Sequence, residues 1–160
     1  MKTVALVAGL LVLAPGAALS EGPSLEPTLA DALKKFTDAF NSYDAKKVAA
    51  FWAEDGTLIS PVGEVGKGRD GVAKVYQHDL DMIVKGTTSS FQPEMARKLK
   101  GGLVLLDLIH EMQNFHMPDG TTGTMKLHVV ILAQGKGGSW HWLDARPYAF
   151  LKPPPPPAAK

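Results

Sequence analysis

The stretch Phe36-Thr-Asp-Ala-Phe-Asn-Ser-Tyr-Asp44, continued by Val48-Ala-Ala-Phe-Trp-Ala-Glu-Asp-Gly-Thr-Leu-Ile-Ser-Pro-Val-Gly63, holds the pattern that decides the fold. Upstream of it, Leu29 and Leu33 join Phe36, Phe40 and Tyr43 at alternating steps of four and three, one apolar stripe of a helix with Thr28 as its cap. Asp44 then caps a second, short helix whose buried face is Val48, Phe51 and Trp52. Asp55-Gly56 is expected to stop that helix, because glycine takes the left-handed conformation at low cost. Thr57 to Ser60 is β-branched and apolar, is closed by Pro61, and reads as a strand.

Downstream, Gly63, Gly66 and Gly68 mark a loop or tight hairpin, and a third helix begins at Asp70 with Val72, Val75, Tyr76, Leu80 and Ile83 on its apolar face. After Gly86 the period changes from helical to extended. Thr87 to Leu99 reads as a strand interrupted by Pro93, which places it at an edge or on a bulge. Gly101-Gly102, Pro118-Asp119-Gly120 and Gly135 to Gly138 are turns that separate strands over 103–116, 121–133 and 139–150. Helices gathered early and a meander late predict an α+β domain: three N-terminal helices packed in a strongly curved antiparallel sheet, a cone-shaped α+β barrel.

The two ends read differently. Lys2 precedes an apolar run from Val4 to Ala14, then Pro15-Gly16 and the small residues Ala17, Ala18 and Ser20. This is the pattern of a cleavable secretory signal over residues 1–20, and the apolar run covers only about half a bilayer's hydrocarbon core. Residues 21–152 are expected to form one domain, exported to a periplasmic or extracellular space. Residues 153–160 open with five prolines, which supply no amide donors, and form an extended tail. The chain has no cysteine, which excludes disulfides, thiol catalysis and cysteine-ligated metals. Removing Lys2 with the signal leaves sixteen basic and sixteen acidic residues, without a basic patch. Nucleic acid is therefore not an expected partner, nor is a membrane after processing.

The quoted stretch resembles the nuclear transport factor 2-like superfamily, which includes ketosteroid isomerases and SnoaL-like polyketide cyclases. The Gly66-Lys-Gly-Arg-Asp-Gly71 approach to helix three fits it, as does the late Gly-Gly-Ser-Trp140 turn. The resemblance implies a bent sheet wrapped around the helices, with an apolar pocket at the open end. It also implies that isomerase chemistry is lost. The isomerases' carboxylate base falls at Ser60, their oxyanion tyrosine at Phe36, and their protonated aspartate near Lys126. Serine without a base moves no proton at neutral pH, and phenylalanine donates no hydrogen bond to an enolate. Trp52 and Tyr76 stand where the family places pocket aromatics. With Phe36, Phe40 and Ser60 they imply a cavity for a small apolar or aromatic molecule; the alternative is that they simply fill the core.

On the last strand, strict alternation puts Trp140, Trp142, Asp144, Arg146 and Tyr148 on one face. Trp142, Asp144 and Arg146 are thereby candidates for the pocket, where the Asp–Arg pair could clamp a carboxylate; the alternative is a surface ion pair flanked by aromatics in a dimer interface. His128 shares a face with Lys126 and Val130, and within reach of Asp144 it would make an acid–base pair. No tight ligand spacing such as His-x-x-x-His occurs, so neither metal nor other cofactor is expected. Three functions remain open: a small-molecule binder, a cyclase, dehydratase or isomerase using His128 or Asp144, and a non-catalytic module that forms a homodimer through its sheet face.

Overall fold

The structure is a computed structural model that describes residues 23–150; the expected signal segment and the proline tail lie outside the described residues. Helix α1 (Pro27–Asn41) buries Leu29, Leu33, Phe36 and Phe40. It begins one residue before the expected cap: Pro27 occupies the first turn, where its missing N–H costs nothing. Thr28 instead donates from Oγ1 to the Glu26 carboxylate at 2.9 Å. Tyr43 lies just past the helix with a left-handed φ of 55°, and its hydroxyl donates to the Thr87 carbonyl. Asn41 fixes the same helix end by donating to the Ser89 carbonyl at 2.8 Å and accepting from the Ser89 amide at 2.7 Å.

Asp44 caps α2 (Ala45–Ala49) by accepting from the amides of Lys46 and Lys47. The helix is shorter than its apolar pattern predicts. The Phe51 carbonyl accepts from the Trp142 amide at 2.8 Å, which draws the chain into the sheet, and Trp52 opens strand β1 (Trp52–Ile59). Gly56 is consequently a strand residue and not a helix stop. A Cβ there would lie 2.8 Å from the Trp142 carbonyl oxygen and 2.9 Å from the Trp52 ring, so only glycine lets β1 approach its neighbour this closely. The glycine-rich loop forms β2 (Val65–Lys67), hairpinned on β1 and leading into α3 (Gly68–Met82).

The remaining strands are β3 (Thr88–Lys98), β4 (Leu103–His116), β5 (Thr122–Lys136) and β6 (Ser139–Tyr148). The six-stranded sheet has the order β2-β1-β6-β5-β4-β3. It is curved and unclosed, with β3 at one edge and a register break at Pro93, as that proline requires. All pairings are antiparallel except β1 with β6, which run parallel. The intervening α3 and β3–β5 supply the long crossover that a parallel pair needs. Further breaks within the β1–β6, β4–β5 and β5–β6 ladders add local bend and twist, and the helices lie against the inner face.

The core is continuous from α1 to the inner sheet face. Val104, Leu106, Leu108 and Met112 of β4 and Val129, Ile131 and Ala133 of β5 meet Phe36, Phe40, Val72 and Val75. Phe36 is its hub, with the rings of Phe40, Phe51, Trp52, Phe91 and Trp142 all centred within 6.3 Å. No helix among the described residues is long and apolar enough to cross a membrane.

Candidate functional site

Between the open end of the sheet and the C-terminal half of α3 lies a cavity of about 190 Å³ with almost wholly apolar walls. Trp52, Phe36 and Leu58 form its inner end. Met125, Leu127, Val129 and Ile131 of β5 form one wall, completed by Ala145 and Pro147 of β6. Pro61, Val62, Ile83 and Phe115 also line it. Apolar cavities of roughly 150 Å³ admit benzene, so this one accommodates a molecule of about one ring and its substituents.

Four polar side chains reach the cavity: Ser60, Tyr76, Asp79 and His110. Ser60 is buried and also builds the turn, its Oγ accepting from the Glu64 amide at 3.1 Å. Tyr76 packs edge-on against Phe40 and Trp52, and burial, reinforced by the Asp79 charge, keeps its phenol protonated. Asp79 points one carboxylate oxygen, Oδ1, into buried space where it has no hydrogen-bond partner. Burial lifts this carboxyl to about 6, with the Glu64 charge adding to the effect and His78 opposing it. Glu64 is itself 3.1 Å from the His78 ring. His110 is buried, stacked on Phe91 at 4.1 Å, with Nε2 3.0 Å from the Ser89 hydroxyl. Burial drops its pKa to about 4, so it is a neutral imidazole at ordinary pH.

Of the residues expected at the pocket, the structure brings together Phe36, Trp52, Ser60 and Tyr76. Phe40 lies one layer behind them in the core, against Tyr76, Phe91 and His110. Trp142 is fully buried and stacks on Phe51, without lining the cavity. The shared face of Trp142, Asp144 and Arg146 is not found. Trp142 pairs with Ala133 and Asp144 with Leu132, so Leu143 is an extra residue in the ladder. One inserted residue reverses the parity of everything after it. Trp142 therefore faces the core, while Asp144 and Arg146 pair with each other at 3.0 Å on the outer face. His128 is also on the outer face, beside Glu94 and Asp107, and forms no acid–base pair with Asp144. Lys126 points outward to Glu111 at 2.7 Å, and the inward positions beside it are the apolar Met125 and Leu127.

Sequence reasoning missed Asp79 and His110, and both left a signal. Asp79 follows Val75 by four residues and Tyr76 by three, which puts a carboxylate on the apolar stripe of α3. His110 shares the parity of Leu106, Leu108 and Met112 on β4.

Residues 33–92 match the family profile of the SnoaL-like domain. No curated protein matches the chain. Among solved structures, a ketosteroid isomerase-like protein from Erwinia carotovora atroseptica superposes with a TM-score of 0.64 at 19% identity, over 76% of this chain and 92% of that one. An NTF-2 like protein of unknown function from Shewanella oneidensis gives 0.61 at 14% identity, over 76% and 97%. A protein with a ketosteroid isomerase-like fold from Catenulispora acidiphila, solved in complex with trimethylamine, gives 0.55 at 16% identity, over 76% and 86%. Residues 33–92 are thus similar to a SnoaL-like domain, and the chain has the nuclear transport factor 2-like fold.

Proposed function

We propose that this chain is an exported domain that binds a small apolar or aromatic molecule carrying one hydrogen-bond donor, and that it is not a ketosteroid isomerase. The observation that carries the reading is the apolar cavity with the buried, unpartnered Asp79 Oδ1 at its wall. An apolar pocket with one unmet acceptor favours a ligand that covers the walls and donates to that oxygen, because an unpaired buried oxygen costs roughly 1–3 kcal/mol. A hydroxyl or a protonated amine has the right chemistry, and the trimethylamine complex of a structural neighbour is in keeping with a small amine. The isomerase positions point the same way: Phe36 and Ser60 line the cavity without a base or an oxyanion donor between them.

Export rests on the amino-terminal pattern of Lys2, the apolar run and the small residues before Glu21. Native mass spectrometry of protein recovered from the exported fraction tests both parts at once. The expected result is a chain cut near Ser20 that carries a small bound mass, and Asp79→Ala is expected to lose that mass. An intact amino terminus on exported protein would refute the processing step. A ligand-free wild type that also binds no member of a small amine and phenol set would refute the pocket reading.

A second reading, a proton-transfer enzyme, is favoured by one observation: the Asp79 carboxyl sits at about 6, where a general base works near neutral pH. In that reading the acid–base role belongs to Asp79 and not to His128 or Asp144. The outer sheet face bears on the dimer. It leaves Leu103, Leu105, Ile109, Val130 and Leu132 half-buried. A second copy seated there would cover them.

A further inference from the structure

Three neighbouring strands deliver one ligating side chain each to a single spot on the outer face, across the sheet from the cavity. We propose that Glu94, Asp107 and His128 form a binding site for a divalent transition cation of the zinc class. The His128 Nδ1 lies 3.3 Å from Glu94 Oε2 and 3.9 Å from Asp107 Oδ1, and the three ligand atoms all fall within 4.8 Å of one another. An ion with bonds of about 2.0–2.2 Å sets its neighbouring ligand atoms roughly 3–3.5 Å apart, so small rotations of these side chains complete the set.

The backbone builds this convergence. Pro93 pairs with Leu108 and Met95 with Asp107, so Glu94 is the extra residue of a bulge and sits beside Asp107 on the outer face. Asp107 pairs with Val130 and His128 with Ile109, which makes Asp107 and His128 diagonal neighbours on that same face. Tyr148 stacks on the His128 ring at 5.3 Å, and Phe150 meets its edge at 4.9 Å. These rings hold the imidazole in place and shield one side of the cluster.

The orientation of the groups separates a metal site from an ordinary ion pair. His128 Nδ1 and Asp107 Oδ1 are shut off from solvent, and neither has a hydrogen-bond partner. Glu94 is close enough to Nδ1 for a hydrogen bond but lies off the direction in which that nitrogen points. A protonated ring between two carboxylates would aim its N–H at one of them. A cation on the nitrogen's axis puts a carboxylate ligand off that axis, as found for Glu94. Two carboxylates balance a divalent charge, and the imidazole favours Zn²⁺ or its first-row neighbours over Mg²⁺ and Ca²⁺. Glu94 is half exposed, which leaves a solvent side for water or an exchangeable ligand.

Calorimetric titration of tag-free processed protein with Zn²⁺ tests the site, with Co²⁺ absorption as a second readout of nitrogen–oxygen ligation. We expect saturable one-to-one binding. Asp107→Asn, which keeps the side-chain shape, and His128→Ala are each expected to weaken it by at least about tenfold. His78→Ala, at a separate cluster with Glu64 and Asp79, is expected to leave it unchanged. The proposal is overturned if Zn²⁺ binds no tighter than about 1 mM. It is equally overturned if folded Asp107→Asn binds like the parent, or if His78→Ala abolishes binding.

Discussion

Burial imposes the same penalty on charge at Asp79 and at His110, with opposite consequences for pH. Between its ordinary value and about 6, folded Asp79 keeps a proton that the unfolded chain has released, so its contribution to stability falls as pH rises through that window. By pH 7 the loss is about 2 kcal/mol, after discounting for partial exposure. Folded His110 stays neutral down to about 4, while the unfolded chain takes up a proton below 6.5, so its contribution falls as pH drops. That loss reaches about 3 kcal/mol. The two terms oppose each other, and urea denaturation across pH 4 to 7 separates them. Asp79→Asn is expected to be more stable than the parent at pH 7 and to lose stability on acidification more steeply. His110→Gln is expected to gain stability on acidification relative to the parent. Equal slopes in parent and Asp79→Asn would refute the assignment. Phe36, Trp52, Ser60 and Tyr76 were legible as lining because a family resemblance supplied their places. Asp79 and His110 were not, because a polar residue on an apolar stripe is read as noise until a cavity is seen beside it.

At the level of elements, the helical stripes and the three long strands were legible because their periods persist over many residues. β4 occupies the stretch expected for it end to end, Leu103–His116. Single inserted residues leave less trace. Leu143 in β6 breaks the alternation without any change of composition, whereas the break at Glu94 in β3 was signalled by Pro93 alone. One moved Asp144 and Arg146 out of the pocket, and the other carried Glu94 to His128. Metal ligands spread over three strands are invisible to a search for spacing along one. Gly56 shows how a residue expected to end a helix instead seats a strand. Gly56→Ala places a methyl against the Trp142 carbonyl and the Trp52 ring. It is expected to destabilise the fold by about 1–3 kcal/mol, read as a lower denaturation midpoint with an unchanged urea slope. A midpoint equal to the parent's would show that β1 and β6 can part without cost.

For the whole molecule, the open sheet leaves one face wrapped around helices and the other bare. The proposed pairing of two copies through the bare face is expected to be broken by Leu105→Glu with Leu132→Glu, two outward residues paired across β4 and β5. Light scattering should then report a monomer, while ligand capture by the inward-facing cavity persists. A monomeric parent would refute the pairing. The parallel junction of β1 with β6 sets the timing of assembly. β1 is among the first strands synthesised and β6 is the last, and Ala145 and Pro147 of β6 finish the cavity wall. Until Ser139 to Tyr148 has emerged, β1, β2 and α3 have no sheet to join, and the aromatic cluster around Phe36 lacks Trp142. The chain thus stays unsealed, and its pocket unformed, through most of its own production.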